Sequence, residues 1–249
     1  MGHPFEQRRH AEVPASPDEV WAAIASGPGI DSWFMGHSEV QPGASGTVRT
    51  VFGEYAPELD VTTWDPARRF AYRSGEAPDG RFIAYEFLIE ARAGGSTVLR
   101  TVTSGFLPGD DWADEFEAMM LGGAMYFQTL VEYLTYFAGR FAAPVTASGP
   151  PGTTWSRDRA LLCHALGLPE AAAPGDGARL ITDEAIGSVD GVVYFANAHT
   201  IGIRTQDALY RFLRGFGKPA LAAHHLFADS ADPAQAQHAW ESWLRRTLA

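Results

Sequence analysis

Eight histidines and a single cysteine are the side chains best suited to hold a metal or activate a nucleophile, and their spacing points to neither. His224 and His225 are adjacent, so in a strand they face opposite sides and do not converge on one ion. His3, His10, His37, His164, His199 and His238 show no HxxxH or HxH pattern. Cys163, inside ALLCHALGL, reads as a small core hydrophobe. Ser16, Ser104 and Ser188 occur in no GxSxG setting, so acyl transfer has no motif here. The glycine pairs at 94–95 and 122–123 lack the spacing of a phosphate loop. Asp110, Asp111, Asp114, Glu115 and Glu117 crowd the start of a long apolar segment, where carboxylates suit a helix dipole better than a cation site. No catalytic residue, no metal and no cofactor are expected.

What remains is apolar. DDWADEFEAMMLGGAMYFQTLVEYLTYFAG (110–139) reads as one long helix, with Phe116, Met119, Gly123, Tyr126, Leu130 and Tyr133 recurring at spacings of three and four. Trp112, Phe116, Met119, Met120 and Phe127 fit a packed core, and they fit equally an adaptable lining, because methionine beside glycine makes a deformable apolar wall. Arg73, Glu86 and Arg100 lie on strands where an inward polar group could fix a head group. Both faces of 82–90 contain apolar residues, so the pattern leaves their orientation open.

Other elements must position that helix. FEQRRHAEVPA (5–15) reads as a first strand ended by proline. Ser16 then opens a short helix as N-cap, with Glu19 completing a capping box and Pro17 in the first turn. Val20, Trp21 and Ile24 follow at helical spacing until SGPG (26–29), and IDSWF (30–34) adds one more turn. Two such pieces are too short to persist alone and need a larger surface beneath them. That surface is predicted as an antiparallel meander: GTVRTVFGEY, ELDVTTW, RFAYRSG, RFIAYEFLIEAR and STVLRTVTSGF are β-rich and joined by short links. The prediction for 5–140 is an α+β fold in which a curved sheet holds one face against the long helix. The tryptophan-bearing pair of short helices closes the end of a cavity between them.

The stretch VPASPDEVWAAIASGPGIDSWF, then DPARRFAY, then TVTSGF before a long helix ending LVEYL, resembles the SRPBCC (START-like, helix-grip) superfamily, nearest in likeness to the branch named after the activator of heat-shock protein 90 ATPase. The resemblance implies a hydrophobic pocket between sheet and helix, used by different members for ligands, catalysis or protein contact. One departure is visible: GGAMYFQTLVEYL has Gly123 where the family segment usually carries tryptophan, removing a ring from the cavity side. The lining residues expected on this basis are Trp33, Phe52, Tyr72, Tyr85, Phe87, Trp112, Phe116, Met119, Met120, Gly123 and Phe127.

Charge divides the chain. Residues 1–143 carry ten basic and twenty acidic residues and 144–249 carry nine and ten, within a formal net charge of −11. An acidic balance argues against nucleic acid and anionic membrane partners, and no apolar run approaches the ~20 residues of a membrane helix. A lone cysteine and no evident signal peptide give a cytoplasmic reading. PVTASGPPG (144–152) reads as a linker between a helix-grip domain, 1–143, and a C-terminal α+β unit, 153–249. There TTWSRDRALLCHALGL, five strand-like segments and DPAQAQHAWESWLRRTLA echo the first half in order, as a second helix-grip unit without its first strand. The expected function is binding of a small lipid-like or aromatic molecule. An aromatase/cyclase-like enzyme acting on a polyketide and a chaperone-cofactor-like contact module are the alternatives, and a protein partner or a homodimer stays open.

Overall fold

The computed structural model describes residues 2–249 except 54–55, 110–111, 184–185, 216–218 and 229–231. Two compact units divide the chain, Met1–Phe141 and Ala142–Ala249.

The first unit runs β1 (His3–Val13), α1 (Pro17–Ile24), α2 (Gly27–Ile30), β2 (His37–Val40), β3 (Thr47–Val51), β4 (Glu58–Asp65), β5 (Arg69–Arg73), β6 (Phe82–Ala91), β7 (Thr97–Leu107) and α3 (Trp112–Tyr136). Its seven strands form one sheet in the order β1-β7-β6-β5-β4-β3-β2. Each neighbouring pair is antiparallel. Strand β2 was not anticipated, since four residues of HSEV are too few to show a period. The capping box forms as the sequence requires: Glu19 N–H donates to Ser16 Oγ at 3.3 Å, and Ser16 N–H to Glu19 Oε2 at 2.8 Å. The Ser16 N–H bond, joined by one from Ser16 Oγ–H at 2.8 Å, holds the Glu19 carboxyl below its usual range. Helix α2 ends on Asp31, whose buried carboxylate accepts from Ser38 N–H at 2.7 Å and lies 2.7 Å from His37 Nδ1. That clasp starts β2 beneath the helix pair.

The second unit repeats this path with one strand and one helix fewer: β8 (Ala143–Ser148), α4 (Trp155–Ala165), β9 (Gly177–Asp183), β10 (Gly187–Asn197), β11 (Thr200–Arg204), β12 (Ala208–Leu213), β13 (Leu221–Leu226) and α5 (Pro233–Thr247). Its sheet order, β8-β13-β12-β11-β10-β9, matches that of the first unit. The expected linker is therefore wrong for 144–148, and so is the missing first strand: this segment is β8, paired with β13. Val145 and Ala147 are buried, and proline is tolerated at 144 because β8 is an edge strand. Leu162 and Leu166 around α4 and Trp240, Trp243 and Leu244 from α5 share one core with Val193, Ile201, Ile203, Phe212 and Ala222.

Candidate functional site

Strand register decides which side chains face the long helix. Pairing sets Arg9 against Thr101, Thr101 against Phe87 and Phe87 against Phe70, one row across four strands. The next row is Gln7, Thr103, Tyr85 and Tyr72, and the one beyond begins Phe5, Gly105, Ile83. Helix α3 meets these rows directly. Phe116 packs edge-on against Phe5 at 6.1 Å between centroids, and a Cβ at Gly123 would lie 3.3 Å from Gln7 Oε1 and 3.4 Å from Arg9 Nη1. Gly123 thus faces the sheet as its spacing implied, and what it faces is polar.

Burial changes along these rows. At one end Val13, Leu99 and Ile89 of the sheet are buried, and Leu130, Tyr133 and Leu134 of the helix, with Phe137 just after it, are almost fully occluded. At the other end Ile83, Tyr72, Tyr85, Thr101 and Thr103 remain half-buried although they face inward, as do Phe116, Met119, Gly123, Tyr126 and Phe127 on the helix. The inward residues of the first turns of α3 and of the facing rows thus keep partly accessible surface, whereas Leu130, Tyr133 and Leu134 farther along the helix do not.

The expected lining residues distribute as follows. Tyr72, Tyr85 and Phe87 form an aromatic wall, with Tyr72 5.3 Å from Tyr85 and 6.2 Å from Phe87. Burial pushes the Tyr72 phenol well above its ordinary pKa. Trp33 lies 6.4 Å from Phe87 and is held by its Nε1–H, which donates to the Ala23 carbonyl at 2.9 Å. Trp21 packs at 5.0 Å from Trp64 and 5.9 Å from Phe70. Phe52 continues the inward phase of Val48 beyond the end of β3. Phe116, Met119, Gly123 and Phe127 share the half-buried stretch of α3. Trp112 instead stacks on His3 at 4.1 Å, and the Met120 side chain is exposed while its carbonyl accepts from Arg9 Nη2 at 3.1 Å.

Two inward groups were missed. Gln7 is buried, and Arg9 Nη1–H donates to its Oε1 at 2.8 Å. The signal was present: Phe5, Ala11 and Val13 share the phase of Gln7 and Arg9 in FEQRRHAEV. The strand charges considered instead all point outward. Glu86 pairs with Arg69 at 2.6 Å, Arg100 with Glu90 at 3.2 Å, and Arg73 lies over the Phe82 ring.

Residues 5–126 match the model of a family described as polyketide cyclase/dehydrase and lipid transport, of SRPBCC type. The first unit belongs to the SRPBCC superfamily. Among solved structures, the chain is similar to the di-domain ARO/CYC BexL from the BE-7585A biosynthetic pathway, at 14% identity and a TM-score of 0.47, over 98% of this chain and 96% of that one. The Aha1 dimer from Colwellia psychrerythraea is similar at 20% identity and a TM-score of 0.42, over 54% of this chain and 99% of that one. Protein MLL2253 from Mesorhizobium loti is similar at 18% and 0.45, over 52% and 96%. A comparison with curated proteins returns no match.

Outside the SRPBCC unit, no group of three potential metal ligands occurs among the described residues, nor does one occur within it. His224 and His225 do face opposite sides of β13, and both are buried. His224 lies 4.3 Å from the Trp240 ring, and its Nδ1 accepts from Arg211 N–H at 3.1 Å. His225 Nε2 lies 2.5 Å from an Arg211 Nη. A cleft of about 700 Å³ around Thr153, Trp155, Asp158 and Arg214 adjoins the start of α4. There the buried Asp158 accepts from Thr153 Oγ1 at 2.7 Å, a bond that ties the preceding loop to the helix. No helix among the described residues is long and apolar enough to cross a membrane.

Proposed function

We propose that the first unit binds a small hydrophobic molecule with an aromatic portion, between the sheet and the first turns of α3. The observation that carries this reading is the set of inward-facing but half-buried side chains, Tyr72, Ile83 and Tyr85 on the sheet and Phe116, Met119 and Phe127 on the helix. Inward apolar surface that the protein leaves partly accessible is surface a ligand can cover, at roughly 25 cal/mol per Å². The family description, which joins lipid transport with cyclase and dehydrase chemistry, supports the same class of ligand.

Gly123→Trp tests it. An indole at this position would displace the flexible ends of Gln7 and Arg9 and occupy the proposed site. N-phenyl-1-naphthylamine should bind the wild type with one-to-one stoichiometry and lose that binding in the variant, whose melting temperature stays within a few degrees. An unliganded wild type that never takes up the probe, or a variant that binds it unchanged, overturns the reading.

The cyclase reading keeps its own observation. The phenol hydroxyls of the sheet's inner rows are those of Tyr72 and Tyr85, which pair across β5 and β6. Tyr72→Phe and Tyr85→Phe would then retain probe binding and abolish aromatic-ring closure of a poly-β-ketone; equal ring closure by wild type and variants removes that reading.

A further inference from the structure

Arg9 is out of place on the inward face of the sheet. It is the only cation in the inward rows of β1, β5, β6 and β7 between Phe5 and Val13, and burial pulls its pKa down from the ordinary arginine value. No carboxylate of the described residues lies within ion-pair distance of it. Its two bonds go to neutral acceptors, Gln7 Oε1 and the Met120 carbonyl. A guanidinium carries five donors in a planar fork, so donors remain for a further acceptor. Gly123 lies directly above, with a virtual Cβ 3.4 Å from Nη1 and 3.6 Å from Nη2. Any larger residue there would crowd the fork, so glycine keeps the space over it available.

From this juxtaposition, and resting on the pocket reading above, we infer that the ligand is an aromatic acid whose anionic group is held by Arg9, with Gln7 fixing the guanidinium. The rows supply the scale. Arg9, Thr101 and Phe87 are consecutive across three strands, and neighbouring strands lie about 4.8 Å apart. The guanidinium end is therefore roughly 10 Å from the aromatic wall, the length of a two- or three-ring acid. The threonine hydroxyls of the middle strand suit the polar substituents between. Charge-assisted, two-pronged hydrogen bonds to an oxyanion are the strongest this side chain makes.

Two dyes that differ only by a sulfonate test the inference: 1-anilinonaphthalene-8-sulfonate and N-phenyl-1-naphthylamine. Wild type should bind the sulfonate at least tenfold more tightly. In Arg9→Gln that preference should vanish through loss of sulfonate affinity, with the neutral dye unaffected, and Arg9→Lys should restore part of it. Near-UV circular dichroism checks that the variants fold. Should Arg9→Gln unfold, the wild-type preference, and its erosion by salt, decides alone. Equal binding of the two dyes by wild type overturns the anionic subsite and leaves the pocket standing. Binding of neither dye overturns both.

Discussion

At His224 the sheet of the second unit trades a backbone hydrogen bond for a side-chain one: Arg211 N–H donates to the imidazole, while the Arg211 Nε–H takes the Ala223 carbonyl at 3.1 Å. Burial first, and then the Arg211 charge, hold the imidazole pKa at about 3. An unfolded histidine titrates near 6.5, so between about pH 6.5 and 3 the unfolded chain takes up a proton that the folded one refuses. Stability therefore falls as pH falls through that window, by about 1.4 kcal/mol per pH unit at full slope. Above the window the group contributes no pH dependence. His224→Asn keeps an acceptor for Arg211 and removes the titration. Urea unfolding at pH 7 and 4.5 should show a smaller acid loss in the variant, and an identical loss would mean that His224 takes its proton without unfolding. Single residues of this kind were the least legible in the sequence. Adjacent histidines announce opposite faces, but in this sheet both faces are buried, which no two-residue period reveals. Arg9 and Gln7 were hidden differently, since two polar residues inside a phase set by Phe5, Ala11 and Val13 look like a weak strand rather than a purposeful one.

Among the elements, α3 is divided. Leu130, Tyr133 and Leu134 are buried, whereas Phe116, Met119 and Phe127 have accessible surface left. Local opening is easiest where buried apolar contacts are few, so amides of the first three turns should exchange with deuterium at least tenfold faster than those around Leu130. Uniform protection along the helix would contradict a less tightly packed first half of α3. The helix itself, the meander and the capping box were readable because each rests on local chemistry: a 3.6-residue period, short turn links, and Ser16 with Glu19. The orientation of Arg73, Glu86 and Arg100 was not, because both phases of β6 carry apolar residues and only the pairing of Tyr72 with Tyr85 and Phe70 with Phe87 resolves them. Strand β8 was masked by composition, as proline and glycine crowd a segment whose only strand signal is the pair Val145 and Ala147.

For the whole molecule, the boundary moves from the proline-rich stretch to the turn after α3. Gly139, Arg140 and Phe141 are exposed and lie outside any strand or helix, whereas Val145 and Ala147 are buried in a sheet. Trypsin under native conditions should cut after Arg140 before it cuts at Arg179, Arg204 or Arg211, each of which is in a strand. First cleavage inside 177–213 would show that the second unit opens more readily than the junction. Although the two sheets share one strand order, Arg9 and Gly123 both belong to the first unit, so one site per chain is the expected stoichiometry.

The uneven burial along α3 has a thermodynamic corollary. Apolar surface left accessible on the first turns of α3 is, on the proposed reading, covered by the ligand to complete a hydrophobic core. Calorimetry of an aromatic acid binding the first unit should accordingly register a negative heat-capacity change, as water leaves Tyr72, Ile83, Phe116 and Phe127. A titration enthalpy independent of temperature would mean that the ligand leaves those rings wet.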